Sequence, residues 1–225
     1  YHEGNVHPYG YDGNWDRTQN HSSADYLALD LAIVRRVNEE AERCLAGGQR
    51  CLLNYSVHAT TLQNRQRRQV YLNHLYATPE RLRPYLVGRV AEIEPGTPIV
   101  TMAEWVYLLR PVSGRVTIQL HENDRALTGL DATGAFTVSF VLSARQHTSE
   151  GREAYKRNIQ RWATAVRGQR IRLRIDNVID KDLLTWALSC GADTLTGTRY
   201  WPAVRGPAGV CIYTRAQLEA KLRAL

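Results

Sequence analysis

The feature that most limits what this chain can fold into is a repeating alternation of short apolar runs with single amphipathic helices. Leu27, Leu31, Val34, Ala41 and Leu45 share one face of a helix that Ser23 or Asp25 can cap and Gly47-Gly48 ends. RCLLNYSV (50–57) then reads as a strand, and a helical segment opened by Pro79 leads to a second strand, VGRVAEI (87–93). The same pattern continues with helix 97–109, strand RVTIQL (115–120), a short helical turn and strand AFTVSFVL (135–142). Helix 149–167 buries Tyr155, Ile159, Trp162, Ala163 and Val166, and is followed by strand 170–176, helix 180–191 and strand 193–197. GVCIYT (209–214) reads as a last strand leading into a helix that Thr214 and Gln217 can cap. Strands joined by single helices form βαβ units around a parallel sheet. The glycine-rich and Walker fingerprints of open nucleotide-binding sheets are absent, which favours a barrel.

Residues 1–24 are polar, lack an apolar period and read as a tail or linker, leaving one domain over 25–225. The tail's aromatics, Tyr1, Tyr9, Tyr11 and Trp15, suit either packing on their own domain or anchoring on a partner. The chain opens on Tyr1 and its only methionine is Met102, so it is expected to be part of a longer product. No run reaches the roughly 18 apolar residues of a membrane span, and no contact with a membrane is expected from this segment. Cys44, Cys51, Cys190 and Cys211 form no C-x-x-C pair, which fits reduced thiols and a cytoplasmic setting. The net charge of +7 is spread along the chain, so no nucleic-acid partner is expected; the cluster Arg65, Arg67 and Arg68 reads first as a solvated face. Trp105, Tyr107, Trp162 and Trp186 lie in helical segments and are expected to pack those helices on the sheet.

Order and spacing resemble the EAL family, (β/α)8 barrels that hydrolyse or bind cyclic di-GMP. Leu29-Asp30 precedes LLNYSV, which is similar to the family's N-L-S segment; PERLRPYLVGRVAEIE (79–94) is similar to P-E-x-L-x-x-E-I-T; RIDNVIDKDLLTWALSCGADTLTG (174–197) is similar to the A-E-G-V-E to Q-G ending. The resemblance implies an α/β, TIM-type barrel, incomplete or modified at its N-terminal strands, because a short polar tail replaces the residues that usually supply them. A barrel open in this way is closed by the tail, by a second chain or by an upstream segment.

The departures from the family pattern bear on chemistry. Asn54 takes the N-L-S asparagine position and Glu92 the E-I-T glutamate position, while Gln119 stands in the D-D-F-G region and Ser139 near the K-I-D lysine. Asp176 matches the first acidic residue of A-E-G-V-E, the second is Ile179, and the final Q-G is Thr196-Gly197. No D-D or K-x-D pair occurs in the strands at 115–120 and 135–142. These few oxygen donors cannot hold the divalent pair that family hydrolases use, so no metal, no cofactor and no catalytic residue is expected.

If Asp176 points inward, the strand period of two places Arg174 and Arg172 inward as well and Ile171, Leu173 and Ile175 outward. Arg174 would then pair with Glu92 or Asp176, a guanidinium standing in for a metal ion. The opposite register turns Arg170, Arg172 and Arg174 to solvent. Arg172 and Arg199 are candidate phosphate contacts. The leading reading is a catalytically inactive EAL-like module that binds a protein partner or a second copy of itself in bacterial signalling. The alternative is a cyclic di-GMP receptor that does not cut, and an active phosphodiesterase comes last.

Overall fold

A computed structural model describes residues 3–5, 23–124 and 127–197. Among the described residues seven parallel strands follow one another in chain order: β1 (Glu3–Asn5), β2 (Leu52–His58), β3 (Leu86–Ala91), β4 (Arg115–Leu120), β5 (Thr137–Val141), β6 (Arg172–Asp176) and β7 (Thr194–Leu195). The connecting helices are α1 (Ser23–Ala46), α2 (Ala59–Gln63), α3 (Arg65–Tyr76), α4 (Ile99–Leu109), α5 (Ser149–Val166) and α6 (Lys181–Cys190). The segment opened by Pro79 is a 3-10 helix, Glu80–Tyr85. Among the described residues no helix is long and apolar enough to cross a membrane. The expected strand at 209–214 and helix beyond it lie outside the described residues.

The polar tail supplies β1, whose Glu3, Gly4 and Asn5 register against Leu52, Leu53 and Asn54. In α1 the face centres on Leu29, Ile33, Val37 and Cys44, with Leu27, Leu31 and Leu45 at its margins, because the apolar stripe is wider than the five residues that first mark it. Burial pushes the Cys44 thiol up to about 12, with Cys51 adding to the shift, so it stays an inert core residue. Asp30, fully buried in α1, accepts hydrogen bonds from the His58 amide and the Thr61 hydroxyl and meets His58 Nδ1 at 2.6 Å. It therefore ties α1 to the end of β2 and the start of α2.

Local caps set the other helix ends. The Asn64 side chain accepts from the Gln66 and Arg67 amides, Asp180 from Leu183 and Thr148 from Gly151. Gly151 lies where a Cβ would come within 1.9 Å of the Arg145 carbonyl oxygen. Helix propensity alone favours Gly151→Ala by about 1 kcal/mol. The clash reverses the sign, and a loss of about 1–3 kcal/mol is expected on urea denaturation; an unchanged or raised midpoint would show that the turn at 144–147 yields freely.

The sheet divides cleanly by face. Leu53, Tyr55, Val57, Val90, Val116, Ile118, Leu120, Val138, Phe140, Leu173 and Ile175 are buried on the convex side, under the helices. Trp162 of α5 stacks on Phe140 with ring centroids 4.0 Å apart and planes 3° from parallel. The concave side carries Asn54, Ser56, Arg89, Thr117, Gln119, Thr137, Ser139, Arg174 and Asp176. A parallel sheet covered on both sides ordinarily reads apolar on both; this one is mostly polar in its hollow, with Val87 and Ala91 sharing the inward phase of Arg89 on β3.

Trp105 and Trp162 pack against the sheet as expected. Tyr107 and Trp186 do not follow: Tyr107 is 73% exposed, and Trp186 lies near the surface with its indole N–H donating to the Lys156 carbonyl at 3.0 Å. Helix α4 is apolar almost all round, so its sequence does not mark which face meets the sheet.

Candidate functional site at the barrel mouth

The polar residues converge because the sheet curls. In a flat sheet β3 and β6 would lie roughly 14 Å apart, yet Arg89 Nη2 is 3.1 Å from Asp176 Oδ2 across the hollow. Arg89 shares a register row with Thr117, Thr137 and Arg172. Its reach to Asp176, four residues further along β6, reflects the stagger of strands that tilt as a barrel closes.

Asp176 is the hub. Arg174 Nε donates to Oδ1 at 2.7 Å, and the Thr196 hydroxyl donates to the same oxygen at 2.7 Å. Arg89 also donates to Gln119 Oε1 at 2.6 Å. Burial alone would push the Asp176 carboxyl up; the Arg89 and Arg174 charges and the bonds from Arg174 and Thr196 outweigh it and hold the carboxyl below the ordinary carboxylate value. The cluster is closed to solvent, with Arg174 1% exposed, Asp176 4% and Arg89 9%. Ser139 registers between Gln119 and Arg174, is fully buried, and its hydroxyl has no hydrogen-bond partner among the described residues.

The remaining candidates take varied places. Asn54 is buried on the concave face of β2. Glu92 follows β3 with φ of 55°, and Asn177 follows β6 with φ of 60°, so left-handed residues end both strands that carry the cluster. Asn177 is held there by its side-chain bond to the Leu142 carbonyl at 2.8 Å. Arg172 lies at the far, N-terminal end of β6, exposed, its guanidinium 4.7 Å from the centre of the Phe136 ring. Arg199 lies outside the described residues. Arg89 is the member of the cluster that the sequence does not single out, and Thr196 is marked there only as the residue in the final Q-G position.

The inward register of Arg174 is what the structure has, with Asp176 as its partner. The divalent pair implied by the family resemblance does not fit the residues present. Among the described residues no group of three or more His, Cys, Asp or Glu side chains is placed to hold a metal ion, and Asp176 already faces two guanidiniums that would repel a cation.

No family model matches the sequence, and no curated protein matches it. Solved structures do match in shape. Bacillus subtilis YkuI, a protein with an EAL domain solved with cyclic di-GMP and calcium, superposes with a TM-score of 0.57 at 14% identity, over 91% of this chain and 49% of that one. Klebsiella pneumoniae BlrP1, solved with manganese and cyclic di-GMP, gives 0.55 at 13% identity over 79% of this chain and 45% of that one. This chain has the EAL fold. The EAL domain of Xanthomonas citri FimX, solved with cyclic di-GMP, gives 0.50 at 12% identity over 76% of this chain and 68% of that domain. The chain spans about half the length of the first two proteins. Within the EAL fold it is an incomplete α/β barrel, β1 and β7 being unpaired with each other among the described residues.

Proposed function

We propose that this chain is a non-hydrolysing EAL-fold module that acts by binding a protein partner in cytoplasmic bacterial signalling. The observation that carries the reading is the buried Arg89–Asp176–Arg174 cluster. Of the two acidic residues at the family's carboxylate positions, Glu92 is half-buried just after β3, while Asp176 is neutralised from two sides and sealed from solvent. A hard divalent ion would have to displace both guanidiniums, and Glu92 is the one further carboxylate at a family position, too few donors for a divalent pair. With its mouth filled by its own side chains, the barrel presents its outer surface as the part free to recognise anything.

A second reading, a cyclic di-GMP receptor that does not cut, is favoured by one observation: the similar structures YkuI, BlrP1 and FimX are cyclic di-GMP complexes. Incubation of the full chain with cyclic di-GMP and Mg²⁺ or Mn²⁺ separates the readings. The expected result is no linear dinucleotide above the enzyme-free rate and no saturable heat on calorimetric titration. Saturable binding without turnover would promote the receptor, and turnover would overturn both.

A further inference from the structure

The outer face of α4 is apolar and uncovered. Val100 is 75% exposed and Tyr107 73%, seven residues and therefore about two turns apart on one side of the helix. Tyr76 at the end of α3 extends this surface: its ring is 39% exposed, and its hydroxyl donates to the Leu108 carbonyl at 2.8 Å, fixing it beside α4. A helix that is apolar on both its buried and its outward sides ordinarily has a neighbour on each.

Charge identifies the neighbour. Helix α3 contains Arg65, Arg67 and Arg68 and no acidic residue, and Arg110 caps α4. The only carboxylate on the helix pair is Glu104, which Arg68 engages at 2.9 Å. Arg65 at the start of α3 and Arg110 just past α4, whose guanidinium donates to the Gly134 carbonyl at 2.8 Å, are both exposed and leave the helix pair with positive charge in excess. A second copy of this chain would bring the same arginines against them, so like charge disfavours self-pairing here.

We propose that the α3–α4 face docks an acidic amphipathic helix of a partner protein. Its apolar side chains cover Val100, Tyr107 and Tyr76, and its carboxylates meet Arg65 and Arg110. Exposed tyrosines flanked by arginines are the residue types that concentrate binding energy at protein interfaces. The inference rests on the interaction-module reading and gives it a surface and a partner chemistry.

Two synthetic helical peptides test it. They share one leucine stripe and carry either glutamate or lysine at every polar position, and binding to the full chain is followed by fluorescence anisotropy and amide hydrogen exchange. The glutamate peptide is expected to bind and to protect α3 and α4. The exposed double variant V100S/Y107S should keep the native circular dichroism and bind about tenfold more weakly. The charge-reversed variant R65E/R110E should lose the glutamate peptide and gain the lysine peptide. Equal binding of the two peptides, binding unchanged in both variants, or sedimentation showing a dimer that V100S/Y107S abolishes would overturn the proposal. Protection of a different surface by the glutamate peptide would overturn this face while leaving the module reading standing. Turnover of cyclic di-GMP would instead remove the module reading itself.

Discussion

Asp176→Ala is expected to cost about 3–5 kcal/mol of folding stability, because it leaves two buried guanidiniums without the carboxylate that compensates them. Arg174 is almost fully buried and Arg89 nearly so, so neither can recover hydration by turning to solvent. Asp176→Asn keeps the shape of the side chain and removes only its charge, and should lose most of the same stability. The pH dependence follows from the same contacts. The folded carboxyl titrates below its unfolded value, which is near 3.9 for an aspartate. Its contribution is therefore complete above that unfolded value and is lost as pH falls through the lower, folded value. Urea denaturation across the acid range should show this loss in the native chain and lack it in Asp176→Asn. A cost below about 1 kcal/mol for Asp176→Ala would mean that water or another group neutralises the arginines, and that the mouth is open.

Trp162→Ala should cost a similar amount, about 3–5 kcal/mol, as the largest cavity a single change can open beneath α5. The indole stacks flat on Phe140 and is fully buried, so its removal empties the layer between α5 and β5. Phe140 is next in sequence to Ser139, so the damage should also loosen the strand that borders the mouth. The control is Trp162→Phe. The Trp162 N–H has no acceptor among the described residues, and replacing it with phenylalanine removes that buried donor while keeping an aromatic face against Phe140. It should therefore cost far less than the alanine variant, about 1 kcal/mol. Equal losses for the two variants would mean that a phenylalanine ring does not hold the layer and that the full indole is required.

Much of the architecture was legible because the apolar residues keep a strict period. The strand at 115–120 and the helix at 149–167 appear within a residue of their expected ends, and Asp176 anchored the inward phase of Arg174 correctly. The elements hidden from the sequence have physical causes. Glu3–Asn5 pairs through its backbone and lacks the β-branched and aromatic residues that advertise a strand. Arg89 is hidden in the sequence because a strict period of two through Glu92 would put Val90 and Gly88 inside the barrel. Glu92 is left-handed, the alternation breaks there, and it is Arg89 that points inward. Tyr107 was misplaced because a helix without a polar side does not record which way it faces.

The unbroken chain-order succession of the strands bears on how the molecule is made. Each strand from β3 onward finds its partner already synthesised and adds to the growing margin without waiting for a distant segment. Assembly on the ribosome can thus proceed one βα unit at a time, with little loop-closure entropy at each step. The mouth is the exception. Arg89 emerges long before Arg174 and Asp176, so its charge stays hydrated until β6 arrives, and sealing of the centre waits until after β4 and β5 are in place.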